Sequence, residues 1–437
     1  MPESLELHDI VNNYLHNLTA LHEVVPYQMI MATSVAKESI KKHKVFLEEK
    51  GEKLEEHSDE DSTSYILNYK DIRRSARLGL KSDRSKTVLE LLPRNFVVSY
   101  VSEYDSFLGQ LLSKILLFKP GIIDSKDKNI SLSDLVALGS VEAARERIIA
   151  KEVESVLRSS HSEQFNWMTN TFGLTLTKDL DSWPTFIELT ERRNLFVHCD
   201  GIVSEQYLKV CKNNNVNVEK DILIGCKLKA DKRYLKHSYE TLYEIGLKLS
   251  QVLWRKLAPK DIEKAEDSLS HFVYELLIDE NYKLAINLLD FACCTLRKWS
   301  TESDRLIYVI NRVIAYKFSG EEAKAKTILE SQDWSACGEN FQICVSVLRD
   351  DFDKAKKIML SIGKSGCVSE ASYLEWPCFK VFRESDEFAE AFTEVFGHTP
   401  TLIEQIDNKT ENIKEEPDSE SDELLGTKTP LSENALE

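Results

Sequence analysis

Apolar residues recur at intervals of three and four along most of the chain, a pattern that predicts helices and almost no sheet. Between residues 5 and 50, Leu5, Ile10, Val11, Tyr14, Leu15, Leu18, Leu21 and Val25 keep this interval. A very polar stretch follows, EEKGEKLEEHSDEDSTS (48–64), and reads as a solvated helix end running into a loop. After Pro93 the segment RNFVVSYVSEYDSFLGQLLSKILLF (94–118) predicts one long amphipathic helix. A second helical region covers 131–172, with Leu132, Leu135, Val136, Ile148, Ile149, Val153 and Val156 on its apolar side. A third begins at Ser182-Trp183-Pro184, a cap followed by proline in the first turn, and stops near Asp200-Gly201. A fourth runs from 232 to 257 through Tyr239, Leu242, Ile245, Leu249, Val252 and Leu253. Four such helices in succession predict a bundle.

From residue 260 to 400 the pattern changes and repeats. NYKLAINLLDFA, GEEAKAKTIL, DDFDKAKKIMLSI and SDEFAEAFTEVF each centre on a small residue: Ala285, Ala325, Ala355 and Ala391. Their spacings are 40, 30 and 36 residues. A period near 34, with a small residue where two helices cross, is similar to tetratricopeptide (TPR) repeats, because close helix contact leaves no room for a larger side chain. The expected fold class is therefore all-α. A helical extension with a polar linker (1–93) precedes a helical bundle (94–257), a TPR-like α-solenoid (260–400) and an acidic tail (401–437).

The 437 residues carry a formal charge of −17, which excludes a uniformly basic nucleic-acid coat. The charge is unevenly spread. Residues 401–437 hold 11 Asp/Glu against 3 Lys and almost no aromatic residues, so they are expected to be disordered. The stretch 94–256 holds 23 Lys/Arg against 21 Asp/Glu, leaving the middle of the chain as the place where a phosphate backbone is not repelled. Two basic runs stand out, DIRRSARLGLKSDRSK with Arg73, Arg74, Arg77 and Arg84, and Lys227, Lys229, Lys232, Arg233 and Lys236. Both are most simply solvated faces; the alternatives are a ligand contact for the first and contact with RNA phosphates for the second. No apolar run is long enough for a membrane span, and the start of the chain lacks the pattern of a secretory signal. Nine scattered cysteines without a CxxC pair suit a reduced, cytoplasmic protein. Trp254, Trp299, Trp334 and Trp376 read as core residues.

Phosphate-loop, dinucleotide-binding, zinc-protease and serine-hydrolase motifs are all missing from the sequence. One constellation remains. In FIELTERRNLFVHCDG (186–201), Phe186, Thr190, Asn194 and His198 form a single helical stripe that begins apolar and turns polar. Arg193 lies beside it, and His198 falls in the last turn, where the helix dipole favours imidazolium. By chance, Arg-Asn-x-x-x-His is expected roughly 0.02 times in a chain of this composition.

This motif, at the end of a bundle helix, resembles the HEPN superfamily (higher eukaryotes and prokaryotes nucleotide-binding domains). Its ribonuclease branch carries R-x4-6-H, often RNxxxH. The opening helix LPRNFVVSYVSEYDSFLGQLL is similar as well, so the resemblance covers about residues 94–256. It implies a metal-independent endoribonuclease without a cofactor, acting on RNA as a homodimer that brings Arg193, Asn194 and His198 of two copies into one cleft. The residue types suit that chemistry: a histidine moves protons, an arginine fork stabilises charge on the phosphorane oxygens, and Asn194 orients either. Glu103, Asp105, Glu188 and Glu191 are candidate supporting residues, and His237 is the next histidine to consider, although an exposed position beside Lys236 accounts for it.

The biological expectation is a toxin or antiviral effector whose TPR-like arm senses or docks a protein or peptide partner, with no role for a membrane. The alternative is a non-catalytic adaptor, in which the bundle dimerises or holds a nucleotide. The acidic tail is read as a solubilising end, or else as an internal mimic of RNA charge.

Overall fold

The computed structural model describes residues 4–55, 63–124, 130–177 and 180–401. Two long helices form its spine. Helix α1 spans His8–Lys50 and α2 spans Tyr69–Phe118, joined by a two-stranded antiparallel ribbon, β1 Gly51–Leu54 with β2 Ser64–Leu67, in which Gly51 opposes Leu67. In α2 the residues Val97, Tyr100, Val101, Tyr104, Phe107, Leu108, Leu111, Leu112 and Ile115 are all buried, as their three-and-four spacing requires. Asn68 caps this helix by accepting from the Lys70 amide.

The helix read as starting after Pro93 begins 25 residues earlier, at Tyr69, and runs through the proline. Pro26 lies inside α1 in the same way. Both prolines mark where the pair leaves the core: Val25 and Phe96 are buried, whereas Tyr27, Ile30, Val88 and Leu91 are exposed. Beyond them the helices pack on each other and on the ribbon, through the buried Ala36, Ser39, Phe46 and Ser82. The polar stretch 48–64 includes strand residues where a loop was expected; its residues 56–62 lie outside the described part. Within the core α1 belongs to the bundle. Tyr14 stacks on Phe107 with ring centroids 4.3 Å apart and donates its hydroxyl to the Leu242 carbonyl at 2.9 Å.

The rest of the bundle is shorter. It comprises α3 Gly121–Asp124, α4 Leu132–Leu138, α5 Val141–Leu157, α6 His161–Phe172, α7 Trp183–His198, α8 Glu205–Asn213 and α9 Lys232–Leu257. The helical region read over 131–172 is thus three helices. Gly139, left-handed at φ 75°, ends α4 and Ser140 caps α5; Ser160 caps α6 with Glu163 in a reciprocal capping box. Helices α5, α7 and α9 pack on α2, and α9 also packs on α1.

Helical pairs follow: α10 Ile262–Ile278 with α11 Tyr282–Asp290, α12 Glu302–Phe318 with α13 Glu322–Glu330, and α14 Glu339–Leu348 with α15 Phe352–Ile362. A left-handed residue turns each pair, Glu280 at φ 56°, Gly320 at 87° and Asp350 at 59°. Each stands five residues before the central alanine, and Ala285, Ala325, Ala355 and Ala391 are all buried. The last pair is irregular, α16 Glu370–Glu375 and α17 Asp386–Phe396 separated by two short 3-10 turns. One contiguous core runs from the bundle into these pairs. The N-terminal segment straps the junction: the Leu5 amide donates to Asp261 at 2.7 Å. Among the described residues the fold is all-helical apart from the ribbon, and no helix is long and apolar enough to cross a membrane. The acidic stretch 402–437 lies outside the described residues.

Candidate functional site

Helix α7 carries the motif. Pro184 sits in its first turn, but Ser182 does not cap it; the Ser182 hydroxyl donates instead to Glu244 of α9 at 2.9 Å. The helix ends where expected. Asp200 (φ 51°) and Gly201 (φ 81°) are left-handed, and the Gly201 amide returns to the Leu195 carbonyl at 2.9 Å. Along the stripe, Phe186 and Thr190 are buried, Asn194 is half-buried and His198 is exposed.

Arg193 points back into the bundle. Its Nη2 donates to Asp105 Oδ2 of α2 at 2.5 Å, and its Nη1 donates to Asn194 Oδ1 at 3.2 Å. The other Asp105 oxygen, Oδ1, lies 2.9 Å from His161 Nε2. The three side chains are 21%, 27% and 7% exposed for Arg193, Asp105 and His161. One carboxylate therefore holds a guanidinium from α7 and an imidazole from α6, and the ring of Phe186 meets His161 edge-on at 5.5 Å. Glu191 completes the cluster: burial pushes its carboxyl above the usual range, and nearby His161 partly offsets this. Arg193 Nε is buried without a hydrogen-bond partner among the described residues. A cavity of about 740 Å³ opens beside Asp105, lined also by Ser106, Gly109, Val153 and Leu157.

His161 has no counterpart in the sequence reading. The capping box fixes its place in the first turn of α6, but its partner is 56 residues away and no local signal joins them. Of the four candidate acids, Asp105 and Glu191 belong to this cluster. Glu188 serves a different purpose, accepting from Arg192 Nε (2.6 Å), Tyr207 (2.7 Å) and Tyr234 (2.8 Å), and so ties α7 to α8 and α9. Glu103 accepts from Asn17 of α1 at 3.2 Å.

His198 makes no hydrogen bond or ion pair with a described residue. It follows Arg193 by five positions, about 140° around the helix, so the two side chains leave α7 in different directions. Around His198 the helix end is well held. Arg94 donates to Asp200 at 2.6 Å and to the Phe196 carbonyl at 2.9 Å, and Lys227 reaches Asp200 at 2.7 Å. Lys227 and Arg94 hold the Asp200 carboxyl down at about 2. His237 is exposed on α9, 3.9 Å from Glu240. Trp254 and Trp334 are buried in the core. Among the described residues no cluster of His, Cys, Asp and Glu has the arrangement of a metal site.

No family model matches the chain, and no curated protein or solved structure is significantly similar to it.

Proposed function

We propose that this chain is a metal-independent endoribonuclease of HEPN type, active as a homodimer, serving as a toxin or antiviral effector with a TPR-like arm for a protein or peptide partner. The observation that carries the reading is the division of labour on α7: Arg193 is aimed by Asp105, while His198 stands exposed with no partner among the described residues. RNA supplies its own nucleophile. His198 of one copy takes the 2′-OH proton as that oxygen attacks phosphorus, and the second copy's imidazole protonates the departing 5′-oxygen. Arg193 stabilises the phosphorane oxygens, and Asn194 holds its guanidinium. The products are a 2′,3′-cyclic phosphate and a 5′-OH end. The test is cleavage of single-stranded RNA in EDTA. The parent yields those two ends, and His198→Ala yields none; equal cutting by the variant refutes the reading.

A second reading, a non-catalytic adaptor, is favoured by one observation. The Arg193 charge is already met by Asp105, so the pair serves equally as a bundle cross-link. It requires no cleavage under any condition and no change of phenotype on altering Arg193 or His198.

A further inference from the structure

The paired parts of α1 and α2 beyond the two prolines carry a charge opposite to that of the chain. Residues 26–50 and 69–92 hold twelve Lys/Arg against six Asp/Glu, a net of +6 in a protein of −17. In the sequence, the stretch that joins the two helices, residues 51–68, holds six acids against one lysine. The shaft is basic.

On α2 the cations are ordered. Arg73, Arg77, Lys81 and Arg84 follow each other at intervals of 4, 4 and 3 residues, which places them in one row along the helix. All four are exposed, and none makes an ion pair with a described residue. Three of the acids nearby are engaged elsewhere: Glu38 with Lys42 at 2.5 Å, Asp83 with Lys86 at 3.4 Å and Glu90 with Lys229 at 3.3 Å. Like charges one turn apart repel and weaken a helix, so the row is a cost to the fold that an external anion relieves. The row has about one cation per turn, spaced about 4.5–6 Å along the axis, a line of positive charge suited to a polyanion.

The row also leads somewhere. Arg94 lies ten residues beyond Arg84 on the same helix, about 15 Å along its axis. It is bonded to Phe196 and Asp200, which flank His198 at the end of α7. Lys229, bonded to Glu90, and Lys227, bonded to Asp200, fill the gap between the shaft and that end.

We propose that the α2 face bearing Arg73, Arg77, Lys81 and Arg84 is an RNA-docking track that lays the phosphate backbone along the shaft toward His198. The direction of delivery rests on the ribonuclease reading; the binding itself does not.

The test uses the full chain with His198→Ala, so that the RNA survives. A fluorescent RNA hairpin of about 16 base pairs with a single-stranded extension is titrated across a salt series by anisotropy. Arg73→Glu, Arg77→Glu, Lys81→Glu and Arg84→Glu together weaken binding on the order of 100-fold, and lower the slope of log K against log salt by about 3. The matching Gln set lowers the slope in the same direction and serves if the Glu set does not fold. Lys324→Glu with Lys326→Glu, exposed on α13, changes neither quantity. Unchanged affinity in both stripe variants overturns the proposal. So does a track that binds phosphatidylserine vesicles, or a synthetic 402–437 peptide, but not the hairpin. Failure of the ribonuclease reading looks different. With His198 intact, the stripe variants still cut a short oligonucleotide at the parental rate while losing the hairpin; if the catalytic reading is wrong, His198→Ala leaves cutting intact.

Discussion

Asp105 is the joint on which both the bundle and the proposed chemistry turn, and its removal has a magnitude that the geometry sets. The carboxylate makes two contacts, 2.5 Å to Arg193 Nη2 and 2.9 Å to His161 Nε2, and all three side chains are less than a third exposed. A hydrogen bond to a charged group contributes about 1.5–3 kcal/mol, and a guanidinium left in a partly buried site without its partner adds a desolvation cost. Allowing for residual solvent at Asp105, Asp105→Ala costs about 3 kcal/mol and Asp105→Asn, which keeps an acceptor, about 1–2 kcal/mol. The direct share is isolated by a double-mutant cycle of Asp105→Ala and Arg193→Met, measured by urea unfolding at pH 7. The expected coupling is about 2 kcal/mol. If the two changes add to within about 0.5 kcal/mol, the ion pair is not a real restraint and the reasoning fails. Cleavage kinetics supply an independent readout. In the proposed ribonuclease, Asp105 acts through the guanidinium it holds, as a positioning residue for Arg193. Asp105→Asn therefore lowers kcat for RNA with little change in KM, and a change in KM alone contradicts that role.

Two further outcomes follow from close contacts and from charge. A Cβ at Gly246 falls 2.4 Å from Tyr14 Cε1, and Tyr14 is fixed by its bond to Leu242 and its stack on Phe107. Gly246→Ala thus destabilises by about 2–3 kcal/mol instead of giving the gain of about 1 expected from helix propensity, and a rise in unfolding midpoint refutes the packing argument. The Asp200 carboxyl is held at about 2, below its ordinary 3.8, first by Lys227 and then by Arg94. A lowered folded pKa means stability that is fully present above 3.8 and lost as pH falls through about 2. In acid titrations the parent and Asp200→Asn curves accordingly converge across that window, and a constant gap down to pH about 2 shows that the carboxyl is not perturbed.

Much of the fold was written in local patterns. The span of α9, the end of α7 at Asp200-Gly201 and the four buried alanines of the repeats rest on interactions within a few residues: a three-and-four apolar spacing, a left-handed stop, a small side chain at a crossing. The same locality explains what the sequence misplaced. Pro93 is a strong local signal to break, yet α2 passes through it, because the packing of Phe96, Val97 and Tyr100 on one side and of Ser82 against α1 on the other outweighs one missing hydrogen bond. Gly139-Ser140 and Ser160 divided a region that hydrophobic spacing alone read as continuous.

The candidate site divides along the same line. The stripe from Phe186 to His198 and its passage from core to solvent follow from spacing by four, so the sequence by itself determined it. Which of four acids meets Arg193, and that His161 shares that carboxylate, were decided only by the crossing of α2, α6 and α7, which brings residues 56 and 88 positions apart into hydrogen-bond range. Periodicity fixes which face of a helix a residue occupies; it carries no information about which other helix that face meets. That choice belongs to the packing of the whole core, and it is what turns a short motif into an aimed guanidinium and an open imidazole.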